Sequence, residues 1–108
     1  MQTQTLHTDE ASNKFAALMN ARVRSYAAST SYTEQEKIAA ERMRLVLDIV
    51  YRAREVYVTY RKKFITIKLE RALVADRVSL SELEAEWAQK GITKAVSPQG
   101  VIYRIPKQ

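Results

Sequence analysis

Arginine, lysine and tyrosine interleave through the middle of the chain, as Tyr51-Arg52-x-Arg54-x-x-Tyr57-x-x-Tyr60-Arg61-Lys62-Lys63. Cations in that company can contact phosphates, and an exposed tyrosine can stack on a base. Lys68 extends the series, and Lys94, Arg104 and Lys107 add cations near the C-terminus. Arg52, Arg54, Arg61, Lys62, Lys63, Lys68, Lys94, Arg104 and Lys107 are therefore the candidate contacts to a nucleic acid. A second reading runs beside this one. Tyr57 and Tyr60 fall on an apolar stripe and belong to a core, while Arg54, Arg61 and Lys68 flank that stripe, where they can equally pair with acids of a partner helix.

Other residue types carry less. The only histidine, His7, sits in a polar segment, and no second imidazole or thiol exists to build a metal site with it. Glu82, Glu84 and Glu86 alternate; on a helix, residues two apart point about 200° apart and cannot converge as a carboxylate pair. Ser25, Ser29, Ser31, Ser79, Ser81 and Ser97 have no nearby base and no glycine-flanked elbow. With 2 glycines in the chain, phosphate-cradling loops are excluded. The expectation is a protein that is not an enzyme and has no cofactor, metal or catalytic residue.

The 108 residues suit one domain, and their apolar share of 46% suits a folded one. Absence of cysteine excludes disulfides and thiolate chemistry and fits a reducing cytoplasm. The longest apolar run falls far short of the ~20 residues of a membrane span, and the N-terminus MQTQTLHTDE shows no signal peptide. The expected location is the cytoplasm, with no membrane association. The net charge of +6 is uneven: residues 41–77 hold ten basic side chains against five acidic. A polyanion would feel that concentration first, although a solvated helix surface carries such residues too.

The elements that must position these groups follow from periodicity. Residues 1–8 are expected to form a polar, mobile tail, and residues 9–108 a single helical domain with a C-terminal β-hairpin. Thr8-Asp9-Glu10 starts a first helix over about 9–28, on Phe15, Leu18, Met19, Val23 and Tyr26. Ser29-Thr30-Ser31 breaks it, and Thr33-Glu34-Gln35-Glu36 is a capping box for the next. From there to about Asp76 no glycine or proline occurs. Ala39, Met43, Val46, Val50, Ala53, Tyr57, Tyr60, Phe64 and Ile67 recur in steps of four and three, predicting one helix of about forty residues. Residues 56–69 also fit a pair of strands. They are rich in β-branched and aromatic side chains, and Ile65, Ile67 and Leu69 alternate with Thr66, Lys68 and Glu70. Helix is favoured because Arg61-Lys62-Lys63 offers no residue suited to positive φ.

Leu45, Leu47, Ile49, Tyr51, Val56, Val58 and Ile65 lie off the seam, so this helix fits a bundle or oligomer better than a two-stranded coiled coil. Ser79-Leu80-Ser81-Glu82, with Val78 and Leu83 as a hydrophobic staple, predicts a third helix that ends at Gly91, with Ile92 packing back on Trp87. Ser97-Pro98-Gln99-Gly100 predicts a type I turn between strands at Thr93–Val96 and Val101–Ile105. No internal repeat is visible.

The order of the last third, a capped helix with Trp87, then Gly91, then a ribbon ending Tyr103-Arg104-Ile105, resembles the end of a winged helix. That resemblance implies Lys94, Arg104 and Lys107 as wing cations beside a groove. It departs at Glu82, Glu84 and Glu86, which would place an acidic recognition helix against a duplex. The alternative is a plain helix and hairpin capping the bundle.

The expected fold is thus mainly α: an N-terminal helix, one long central helix, a short third helix and a C-terminal β-hairpin with a winged-helix-like end. The expected function is that of a small, basic, non-enzymatic nucleic-acid-binding accessory or regulatory protein, DNA-binding among the options, that contacts backbone phosphates. The alternative is a protein-interaction module (adaptor, inhibitor or assembly subunit), with Met43, Leu47, Val50, Tyr57, Val58, Phe64, Ile65 and Trp87 at a self-association or partner surface. A homo-oligomer or a protein partner is expected on the ground that a helix ~60 Å long outruns what one such chain can cover.

Overall fold

Thr33 caps the first complete helix as its sequence suggests. The Glu36 amide donates to Thr33 Oγ1 at 3.1 Å, and the Thr33 amide donates to Glu36 Oε1 at 3.0 Å. The computed structural model describes residues 16, 19, 20, 22 and 24–108. His7, the tail over 1–8, the helix start at Thr8–Glu10, and Phe15, Leu18 and Val23 lie outside the described residues. Residues 24–29 are helical. The hydroxyls of Ser29, Thr30 and Ser31 donate to the carbonyls of Tyr26, Ala27 and Ala28 at 2.7, 2.7 and 2.8 Å, closing the end of that helix.

Helix α1 spans Glu34–Val50 and stops there. The expected forty-residue helix does not form. Tyr51–Arg52 (β1) pairs antiparallel with Leu73–Val74 (β4), and the amides of Ala75 and Asp76 both donate to the Val50 carbonyl, at 2.8 and 3.1 Å. A distant segment thus takes up the carbonyl that a further helical turn would have used. Residues 55–70 form the alternative that periodicity left open, a hairpin of β2 (Glu55–Tyr60) and β3 (Phe64–Glu70). The Arg61 amide donates to the Phe64 carbonyl at 2.9 Å across Lys62-Lys63. Neither lysine has positive φ, which among non-glycine residues belongs to Arg71 alone of those described. The missing turn residues were no obstacle, because the hairpin is held by burial: Ile65, Ile67 and Leu69 are 1%, 0% and 0% exposed.

Helix α2 spans Arg77–Gln89 and begins earlier than its expected box. Asp76 is the cap, its carboxylate accepting from the Ser79 amide at 3.0 Å and the Ser79 hydroxyl at 2.8 Å. Val78, expected to staple this start, is 71% exposed. The far end closes on Gly91 at φ 79°, with Ile92 N–H donating to the Trp87 carbonyl and Gly91 N–H to that of Ala88, both at 3.1 Å. Strands β5 (Thr93–Ser97) and β6 (Gly100–Pro106) follow as a hairpin.

β6 also pairs with β3, so one antiparallel sheet runs in the order β2-β3-β6-β5. The last hairpin is therefore half of the central sheet and not a free wing, which removes the winged-helix resemblance. Each large hairpin follows a helix, a repeat of structure that the sequence does not display. The molecule is a mixed α/β domain with a four-stranded and a two-stranded sheet, neither mainly α nor a helical bundle. Both helices lie on one side of the larger sheet. Met43, Leu47 and Val50 of α1 and Leu80 and Trp87 of α2 pack on Ile67, Leu69, Val101 and Tyr103. The long helix that argued for self-association is 17 residues long; Met43, Val46 and Val50 of its stripe pack into the core, while Ala39 is exposed. Among the described residues, no helix is long and apolar enough to cross a membrane.

Candidate functional site

Side chains alternate across a strand, so the side of the sheet turned away from the helices can be read from the registers. Tyr57, Lys68, Ile102 and Ala95 form one row across it, and Thr59, Thr66, Arg104 and Thr93 the next. Phe64 stands beside Pro106 at one end, and Glu55 and Glu70 stand together at the other. Neither α1 nor α2 packs on this side. Tyr57, Phe64 and Ile102 are half-buried and belong to neither core cluster of the described residues. The face presents two aromatic rings, a row of threonine hydroxyls and the cations Lys68 and Arg104.

Local contacts hold several of these groups. The Tyr57 hydroxyl donates to Glu70 Oε1 at 3.3 Å. The Arg104 guanidinium stands 5.2 Å from the centre of the Phe64 ring. At this end the sheet is pinned from outside. Tyr32 OH donates to the Arg61 carbonyl at 2.6 Å, Lys107 N–H donates to the Lys63 carbonyl at 3.0 Å, and Ser25 Oγ accepts the outward N–H of Tyr60 at 2.9 Å. That last bond covers part of the β2 edge. The Lys107 ammonium lies 5.2 Å from the Tyr32 ring centre.

Five of the cations expected to meet a nucleic acid lie at this end of the sheet: Arg61, Lys62 and Lys63 in the turn, Arg104 on the face over Phe64, and Lys107 on the helix side against Tyr32. All five are exposed, and none enters an ion pair among the described residues. The nearby carboxylate is Glu36. Amide bonds from Thr33 and Gln108 hold its pKa below the usual range, and the charge of Lys107 adds to the effect. Lys68 lies further along the same face. Arg52 on β1 and Arg54, whose amide donates to the Glu70 carbonyl at 2.8 Å, belong to the opposite end.

Lys94 points to the helix side. It pairs with Glu84 at 2.9 Å and lies 5.8 Å from the Tyr103 ring centre. Desolvation pulls its pKa down, but the bond to Glu84 and the neighbouring Tyr51 outweigh this and leave it raised. It is engaged in structure. Tyr103 OH lies 2.8 Å from Tyr51 OH and donates to Glu84 Oε2 at 3.2 Å, which completes a network beneath α2.

The expected association surface is divided. Met43, Leu47, Val50, Ile65 and Trp87 are core, and Val58 packs half-buried against it. Tyr57 and Phe64 stand on the uncovered side, two rows apart. Sequence reasoning missed Thr59, Thr66, Thr93 and Ile102 as members of that surface. The alternation of Phe64, Thr66, Lys68 and Glu70 against Ile65, Ile67 and Leu69 was the signal that could have found the central strand.

No protein-family model matches the chain, and no curated protein or solved structure is significantly similar to it.

Proposed function

We propose that the chain is a small non-enzymatic nucleic-acid-binding protein of accessory or regulatory type, which holds backbone phosphates at the basic end of the sheet face turned away from α1 and α2. The observation that supports this reading is that Arg61, Lys62 and Lys63 of a hairpin turn and Arg104 of the last strand stand exposed at one end of the sheet, with Lys107 just past that strand on its helix side. Exposed cations without carboxylate partners attract a polyanion and exchange its condensed counterions for themselves. A reducing compartment such as the cytoplasm suits a chain with no cysteine.

The alternative, a protein-interaction module built on the apolar stripe, loses the support of Leu47 and Ile65, which are 0% and 1% exposed, and keeps that of Leu45 and Ile49, which are 50% and 75% exposed.

Binding of generic oligonucleotides at low and at near-physiological salt tests the proposal. Affinity falls steeply with salt, and Arg61→Ala or Lys63→Ala makes the log–log slope shallower by about 0.7 for a single strand or 0.9 for a duplex. An affinity that ignores salt removes the reading.

A further inference from the structure

Beyond the cationic end, the face turned away from α1 and α2 carries groups that phosphates alone do not require. Phe64 and Tyr57 stand on it at a separation of about 14 Å, four residues along the strands and one strand across. Between them lie Thr59 and Thr66, whose row continues through Arg104 to Thr93 at the β5 edge, and Lys68 stands beside Tyr57. Among the described residues, the charged partner of the Phe64 ring is Arg104, an exposed cation with no carboxylate bound to it. A flat base can replace that guanidinium against the ring, and the freed cation can then turn to the adjoining phosphate.

We infer that this face binds single-stranded RNA, with bases stacked on Phe64 and Tyr57, phosphates held by Arg104, Lys68 and the turn cations, and 2′-hydroxyls meeting the threonine row. The inference rests on the proposed nucleic-acid function and names its substrate class.

Three features favour this occupant. A four-stranded face is broad and shallow, so it suits unpaired bases laid on a surface, and stacked bases in a duplex cannot reach its rings. The hydroxyl row distinguishes ribose from deoxyribose, because the 2′-OH both donates and accepts. Charge also runs along the face, from the cluster at Arg61–Lys63 to the carboxylates of Glu55 and Glu70. The strand therefore lies over the Phe64–Tyr57 stretch and leaves past the turn, with a footprint of about four nucleotides, the low end for a stacking platform.

The test titrates the full chain with oligouridylate, oligothymidylate and an RNA duplex of equal length, at one fixed salt concentration, by fluorescence anisotropy. Oligouridylate is expected to bind at least about tenfold more tightly than the duplex, and Phe64→Leu and Tyr57→Leu each to weaken it about tenfold. These variants leave the salt slope unchanged, which a loss of cations would not. Circular dichroism and melting confirm that each is folded, and Phe64→Tyr, which keeps a ring, restores binding.

Equal affinity for the duplex, equal affinity for oligothymidylate, or an unchanged affinity in folded Phe64→Leu each overturns the inference while leaving phosphate binding in place. Failure to bind any of the three nucleic acids overturns the proposed function itself.

Discussion

The Arg104 guanidinium stands 5.2 Å from the centre of the Phe64 ring on the side of the sheet turned away from α1 and α2. The two residues belong to β6 and β3, adjacent antiparallel strands whose register puts Arg104 beside Thr66, one row from Phe64. An exposed cation–π contact contributes about 0.5–1 kcal/mol. Arg104→Gln should therefore lower stability by less than about 1 kcal/mol in urea denaturation. In RNA binding the same variant should flatten the salt slope by about 0.7, because one phosphate contact is lost. A large fall in stability would mean that Arg104 serves the fold and not a ligand.

Gly100 allows β6 to lie against β3. A Cβ placed on it would sit 2.0 Å from the Leu69 carbonyl oxygen, a backbone atom that cannot rotate away. Gly100→Ala should cost about 2–3 kcal/mol, seen as a lower urea midpoint. Gly91→Ala meets only Pro106 Cγ at 3.5 Å, and its cost comes from φ 79°. That backbone penalty is about 1–2 kcal/mol.

The buried hydroxyl of Tyr103 makes stability depend on alkaline pH. Burial raises its pKa far above the ordinary 10.0, and the neighbouring Tyr51 and Glu84 add to this. The folded protein keeps the proton while the unfolded chain releases it above pH 10. The stabilisation is full below that pH and declines as pH rises beyond it. Tyr103→Phe should flatten the decline in melting temperature above pH 10 and cost about 1–2 kcal/mol at neutral pH, since it leaves the Tyr51 hydroxyl without its partner.

The cap of α2 gives the opposite dependence. Bonds from the Ser79 amide and hydroxyl hold the Asp76 carboxyl below its usual pKa. Its contribution is present at neutral pH and fades as pH falls through the carboxylate range. Asp76→Ala should lower the melting temperature and remove that acid-side dependence, measured by melting between neutral and acid pH. Ser79→Ala, which keeps the amide bond, should have a smaller effect. The reverse order would restore Ser79 as the cap.

By itself the sequence determined what depends on neighbours within a few residues. The capping box at Thr33, the closure at Gly91 and the turn at Pro98-Gln99 each involve groups within about one turn of chain, so residue type sufficed. It also contained the alternation of Ile65, Ile67 and Leu69, but in competition with a helical stripe that fitted the same residues. Tertiary structure decided between them. β1 meets β4 and β3 meets β6 across long stretches of chain, and those pairings satisfy the Val50 carbonyl and bury one side of the sheet. The stripe then divides, with Tyr60 and Ile67 facing the helices and Tyr57 and Phe64 facing away, because strands alternate where a helix would have aligned them. Arg61–Lys63 and Arg104–Lys107 converge for the same reason: only the pairing of β3 with β6 makes them neighbours.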